Sequence, residues 1–154
     1  MPNAVVALIT LLSFLAQATQ LASSATVVFV CEHGAAKSLI ASAYFNKLAA
    51  ERGLKARASF RGVAPQDDLS VRAVAGLKED GLSIPEQKPT LISDDDIDHA
   101  TLIFAIACQL PGPAATTGKA ANWDDVPEDQ GYPAMRDAIV RHVNALLDQL
   151  QMRK

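Results

Sequence analysis

The loop Cys31-Glu32-His33-Gly34-Ala35-Ala36-Lys37-Ser38 gathers, in one short stretch, the side chains best suited to chemistry in this sequence: a cysteine, a cation and a hydroxyl in the spacing Cys-x5-Lys-Ser. An apolar run, residues 26–30, precedes it, and a helical pattern begins at Ser38. A loop that leaves a buried strand and enters a helix turns successive backbone N–H groups toward one point, where a tetrahedral oxyanion binds. The same partial positive charge favours the thiolate form of a cysteine placed there. Cys31 is therefore the candidate nucleophile, able to attack a phosphorus atom that it faces. Glu32, His33, Gly34, Ala35 and Ala36 are candidate phosphate-binding residues. Gly34 permits a left-handed backbone angle, and the small Ala35 and Ala36 let the chain curl. Lys37 adds charge to the cradle, and the Ser38 hydroxyl can donate a hydrogen bond to the sulfur.

Each of these residues also has a plainer reading. A free cysteine is often a small buried hydrophobe, but the place of Cys31 between an apolar strand and a glycine-containing loop favours chemistry. The segment GAAKS lacks the glycines of a nucleotide-binding loop, since Ala36 and Cys31 stand where that motif needs them. Cys108 ends an apolar strand and reads either as packing or as a redox partner that resolves or shields Cys31. His33 either contacts substrate or shapes the loop by a hydrogen bond. His99 and His142 read as solvated helix residues. Asp94, Asp95 and Asp96 read as a charge cluster at a helix start rather than a metal site. Neither metal nor cofactor is called for. Trp123 and Tyr132 serve equally as walls of an aromatic-substrate cleft or as packing.

The elements that must position this loop follow from hydrophobic patterning. Residues 26–30 (TVVFV) show no polar alternation, which predicts a strand buried on both faces. Residues 38–52 predict a helix, with Ile40, Tyr44 and Leu48 on one stripe and Gly53 as its stop. Residues 55–63 suit a second strand and 69–82 a second helix. Residues 94–100 predict a short helix capped by Ser93. Residues 102–107 (LIFAIA) predict another buried strand. Residues 109–121 read mostly as loop, and a last helix runs over 133–152. Strand and helix alternate in one small doubly wound α/β domain, whose sites lie beyond the carboxyl ends of the strands.

VVFVCEHGAAKS resembles the signature of the low-molecular-weight protein tyrosine phosphatases and the related thioredoxin-coupled arsenate reductases, Cys-x5-Arg-Ser/Thr directly after the first strand. Some of those reductases read Cys-Val-His-Asn-Ala-Gly-Arg-Ser, which His33, Ala35 and Ser38 match; Gly34 falls where they have a left-handed Asn. The resemblance spans residues 26–150. It includes Cys108, where the reductases have their second cysteine, and Trp123 near the late Asp-Pro motif. It implies a flavodoxin-like, four-stranded parallel sheet with helices on both faces. It further implies a phosphomonoesterase that works through a cysteinyl-phosphate intermediate, on a phosphorylated protein or a small phosphate ester.

Three departures qualify what the resemblance implies. Lys37 stands in place of the family arginine, a point charge instead of a planar fork, so weaker transition-state stabilisation is expected. The family's general acid is an Asp just before Pro; here Val126 precedes Pro127, which leaves Asp125 as the expected acid and Asp124 close behind. The third redox cysteine of the reductases is missing. An arsenate reductase-like reading, with arsenate as substrate and Cys31 and Cys108 working with an external thiol, is the first alternative. A non-catalytic oxyanion-binding domain is the second.

The 154 residues are 49% hydrophobic with a formal charge of -3 and two cysteines, which excludes disorder, a disulfide scaffold and a clustered-thiol zinc site. No basic run or aromatic-basic interleaving suggests nucleic acid. Residues 1–25 carry no charged side chain. Residues 4–16 form an apolar run of signal-peptide length, shorter than the roughly 20 residues of a spanning helix. Small-residue sites for cleavage occur at 16–18 and 23–25. The expectation is export to a periplasmic or extracellular space, with the functional domain at 26–154 and no stable membrane domain after cleavage. If the segment is not a signal, the expectation is a cytoplasmic protein.

Overall fold

The apolar run before the cysteine forms β1 (Ala25–Cys31) in a computed structural model that describes residues 24–153. The expected signal segment lies almost wholly outside the described residues. β1 is followed by α1 (Lys37–Glu51), β2 (Ala56–Gly62), α2 (Val71–Glu79), α3 (Asp94–His99), β3 (Leu102–Ile106), α4 (Gly112–Ala115), β4 (Ala120–Trp123) and α5 (Gly131–Met152). The strands form one sheet in the order β2-β1-β3-β4, and every pairing is parallel. Strand order reverses between β1 and β3. In open α/β sheets a ligand crevice opens at the carboxyl ends of such a pair, and Cys31 is the last residue of β1.

Side chains alternate across β1, and each face is covered. Val27 and Phe29 pack with Leu39, Phe45, Ile139 and Leu147 of α1 and α5, whereas Val28 and Val30 pack with Ile97, Ile103 and Ala114. Helices therefore cover both faces, and β1 is buried on both. Phe29 lies 5.3 Å from Trp123 and 5.9 Å from Phe45, and Phe104 lies 4.8 Å from Trp123. This aromatic cluster anchors the sheet centre.

The structure corrects the sequence reading at several boundaries. Residues 120–123 form an edge strand that begins inside the stretch 109–121 read mostly as loop. Ala-Ala-Asn-Trp has little strand propensity of its own; its extension is imposed by pairing with Ile103 through Ile106 of β3. A short helix, α4, also interrupts that loop. α2 is shorter than 69–82, because Ser70 caps it by accepting a hydrogen bond from the Ala73 amide. α5 starts at Gly131 rather than Pro133, which is tolerated because a proline in the first turn removes a donor that has no helical partner anyway. Asp96 completes a capping box with Ser93 and receives a two-pronged contact from Arg61, at 2.8 Å on each oxygen.

Three helices are tied behind the site by Asp80. Tyr44 of α1 and Tyr132 of α5 each donate to Asp80 Oδ2 at 2.7 Å, and Arg136 of α5 reaches Asp80 Oδ1 at 3.0 Å. Gly76 makes room for this knot, since a Cβ there would sit 2.4 Å from the Tyr132 ring. Burial opposes ionisation of Asp80, but the hydrogen bonds from Tyr44, Tyr132 and Arg136 outweigh it and hold the carboxyl below its ordinary range. A depressed folded-state value means stability that is present above the unfolded carboxyl pKa of about 4 and lost as pH falls through the folded one. Asp80→Asn is expected to cost about 2 kcal/mol at pH 7. The penalty should shrink toward pH 3, as read from urea midpoints of both proteins at the two pH values.

Candidate active site

The cradle is built by turning its carbonyls outward. The carbonyl oxygens of Cys31, Glu32, His33 and Ala35 accept from the amides of Val63, Ala64, Gln66 and Ser70 at 2.7 to 3.3 Å. The segment after β2 thus satisfies one side of the loop. The amides of Glu32 through Ser38 have no acceptor among the described residues. α1 begins at Lys37 behind Ala36, a poor cap that makes no side-chain bond. The loop between the end of the strand at Cys31 and the helix start at Lys37 thus keeps its amides unpartnered, with the positive end of the helix dipole beside them. Cys31 is 3% exposed, and its sulfur lies 3.1 Å from the fully buried Ser38 hydroxyl.

Gly34 is needed for two reasons. Its φ of +61° is left-handed, and a Cβ on it would come within 2.8 Å of the Gly62 amide nitrogen. A Cβ on Gly62 would meet the Gly34 nitrogen at the same distance. The backbone argument that equates Gly34 with a left-handed Asn is therefore incomplete, because the loop also rests directly on the end of β2. His33 has its Nδ1 3.2 Å from the Ala64 carbonyl, a loop-shaping contact, while the residue still lines the cavity over the sulfur.

A cavity of about 470 Å³ opens over the sulfur. It is lined by Cys31, Glu32, His33, Ala35, Ala36 and Lys37, together with Gln66, Ser70, Ala107, Met135 and Glu128. Lys37 is 6% exposed, and its ammonium is ion-paired with Glu128 of the loop between β4 and α5. Glu128, not Asp125 or Asp124, is the carboxylate of that loop brought to the cradle. Asp125 turns to α5, where its Oδ1 meets His142 Nε2 at 2.6 Å, and that hydrogen bond holds its carboxyl below the ordinary range. Asp124 lines a separate cavity beside Cys108 and Asn122. Looking for an acid immediately before proline directs attention upstream of Pro127, whereas Glu128 lies just downstream. Val126 is buried to 3% exposure, while the acidic residues on both sides of it, Asp124, Asp125, Glu128 and Asp129, are all exposed, so burial alone does not single out Glu128.

Trp123 and Tyr132 do not wall the cavity. Trp123 is in the core and stacks on His142 at 4.7 Å and 11°, and Tyr132 is bound to Asp80. Cys108 lies beyond β3, with its thiol 3.5 Å from the Val30 carbonyl, one residue from Cys31. Burial, then the nearness of Cys31, pushes the Cys108 thiol up to about 11. The residue before it, Ala107, has φ +48°, the one left-handed non-glycine among the described residues, and lines both cavities.

A parallel α/β sheet that delivers a buried cysteine into free amides at a helix N-terminus defines the class of cysteine-based phosphatases. The sequence profile described as "Low molecular weight phosphotyrosine protein phosphatase" matches residues 26–122, and the chain belongs to that family. Solved structures share the fold. YfkJ from Bacillus subtilis superimposes with a TM-score of 0.77 at 22% identity, covering 86% of this chain and 98% of its own. The thioredoxin-dependent arsenate reductase Cg_ArsC1' of Corynebacterium glutamicum gives 0.69 at 22% identity, over 94% and 71%. The low molecular weight protein tyrosine phosphatase of T. tengcongensis gives 0.65 at 22% identity, over 85% and 100%. No curated protein sequence matches.

Proposed function

We propose that this chain is a phosphomonoesterase that works through a cysteinyl-phosphate intermediate, with Glu128 as its general acid. The observation that carries this reading is the Cys31 sulfur set among amides that have no other acceptor, 3.1 Å from the Ser38 hydroxyl. Cys31 attacks phosphorus as a thiolate and the P–O bond to the leaving group breaks. Protonated Glu128 gives its proton to the departing oxygen. Water then attacks phosphorus, its proton returns to Glu128, and the P–S bond breaks to release phosphate and the thiolate. The cradle amides and Lys37 hold the three equatorial oxygens through both steps. Alkylation of Cys31 by iodoacetate is the test. Alkylation should be rapid and should be blocked by phosphate or vanadate. A sulfur that reacts as an ordinary thiol, indifferent to both anions, would sink the reading.

Lys37 in place of the family arginine is expected to weaken catalysis, since an ammonium already shared with Glu128 offers the oxyanion fewer directed bonds than a guanidinium fork. Lys37→Arg should raise kcat/KM by on the order of tenfold, the value of one added charge-assisted hydrogen bond. A loss of activity would mean that the buried pocket is shaped to an ammonium.

The position of Cys108 favours one second reading, an arsenate reductase-like oxidoreductase. Its thiol, held to about 11, is a sluggish nucleophile near neutrality, and an external thiol must close the cycle. Arsenate-dependent thiol oxidation that disappears in Cys108→Ala would support it. A purely oxyanion-binding domain would bind phosphate without turnover. Export is part of the proposal; N-terminal sequencing of the secreted or periplasmic protein would test it by finding a start between residues 19 and 26.

A further inference from the structure

We propose that the catalytic cavity selects an aliphatic phosphate monoester whose leaving group carries a protonated primary amine, and that Glu32 recognises the amine. This rests on the phosphomonoesterase reading above. The first support is that, among the described residues, no Phe, Tyr or Trp lines the cavity. Every such residue among those described is committed elsewhere. Phe29, Phe45, Phe104 and Trp123 form the aromatic core, Phe60 is 3% exposed, and Tyr44 and Tyr132 bind Asp80. Tyr132 faces a neighbouring cavity instead. The one ring in the described lining is the His33 imidazole, tied to the Ala64 carbonyl at 3.2 Å, so an aryl leaving group finds no Phe, Tyr or Trp face to stack on.

The second support is charge. Among the described residues, Lys37 is the sole Lys or Arg in the lining, and it is already paired with Glu128. Glu32 adds a second carboxylate, exposed and without a hydrogen-bond partner among the described residues. Its charge reaches the sheet ends, where it helps keep Cys108 protonated. With Cys31 as thiolate, negative side-chain charge in the described lining exceeds positive, so the attraction of the cradle amides for a phosphate dianion is partly offset. A substrate that brings a cation beside its phosphate counters that excess and gives Glu32 a partner. The missing aromatic cage argues against a quaternary ammonium, which is held by ring faces. A primary ammonium has N–H groups that a carboxylate accepts. The two carboxylates then divide the work: Glu128 protonates the leaving oxygen and Glu32 holds the ammonium beyond it.

The experiment compares kcat/KM of the full chain and Glu32→Gln on O-phosphoethanolamine, on its near-isostere n-propyl phosphate, and on phenyl phosphate. Glu32 is exposed, so the variant should fold. Glu32→Gln is expected to lower the value for O-phosphoethanolamine about fivefold, as for a solvent-accessible ion pair. It should raise the values for the two uncharged-tail esters about twofold, as repulsion is lifted. Opposite movements establish the proposal. Hydrolysis of phenyl phosphate with an unchanged O-phosphoethanolamine to n-propyl phosphate ratio keeps the phosphomonoesterase and overturns the amine specificity. Hydrolysis of none of the three by the unaltered chain overturns both.

Discussion

Cys31→Ser is expected to lower kcat for p-nitrophenyl phosphate at least about 10⁴-fold, the scale seen when a lone covalent nucleophile is removed. The reason is local. A serine hydroxyl stays protonated near neutrality unless a base takes its proton, and none stands ready here. His33 is turned to the Ala64 carbonyl, and Glu128 is paired with Lys37. The cradle itself should survive, because its free amides and Lys37 are untouched. The variant should still bind phosphate by calorimetry and keep its urea midpoint within about 1 kcal/mol, as an isosteric change permits. A rate within tenfold of the unaltered protein would place the nucleophile elsewhere.

The second large effect concerns the acid. Glu128→Gln is expected to lower kcat about 10²- to 10³-fold for alkyl phosphates, whose leaving oxygen needs the proton. The loss should be much smaller for p-nitrophenyl phosphate, whose leaving group departs without one. Phosphate should also bind more tightly to this variant, because the neutral amide no longer competes with the oxyanion for Lys37. Asp125→Asn is the contrasting variant and should change kcat less than about threefold. A general acid must reach the leaving oxygen, and Asp125 is turned to His142 of α5 and does not line the cavity over the sulfur, whereas Glu128 does. A large loss in Asp125→Asn with little in Glu128→Gln would return the role to the residue suggested by the spacing before Pro127.

The cradle is legible in the sequence because its parts are consecutive. A strand with β-branched residues on both faces, a small-residue loop and a helix start place Cys31 and Ser38 together by local chain geometry, and their side chains meet across seven positions. Hydrophobic patterning likewise shows β1, β3 and the long final helix, since burial on two faces or on one stripe leaves a periodic trace. The alternation of strand and helix carries the fold class with it.

What the tertiary structure decided are the contacts that no local pattern encodes. Lys37 and Glu128 meet from 91 positions apart, and only the path of the 124–130 loop over the sheet end selects Glu128 over Asp124 and Asp125. β4 exists because β3 offers it hydrogen bonds, not because Ala-Ala-Asn-Trp prefers to extend. The requirement for glycine at residue 34 comes partly from its φ, a local property, and partly from the backbone of Gly62, which is not. The emptying of aromatics from the cavity is of the same kind. Trp123 and Tyr132 flank the acid-bearing loop in sequence, yet the core and Asp80 claim them, because burying a ring or satisfying a phenol is worth more to the fold than lining a solvent-filled cleft.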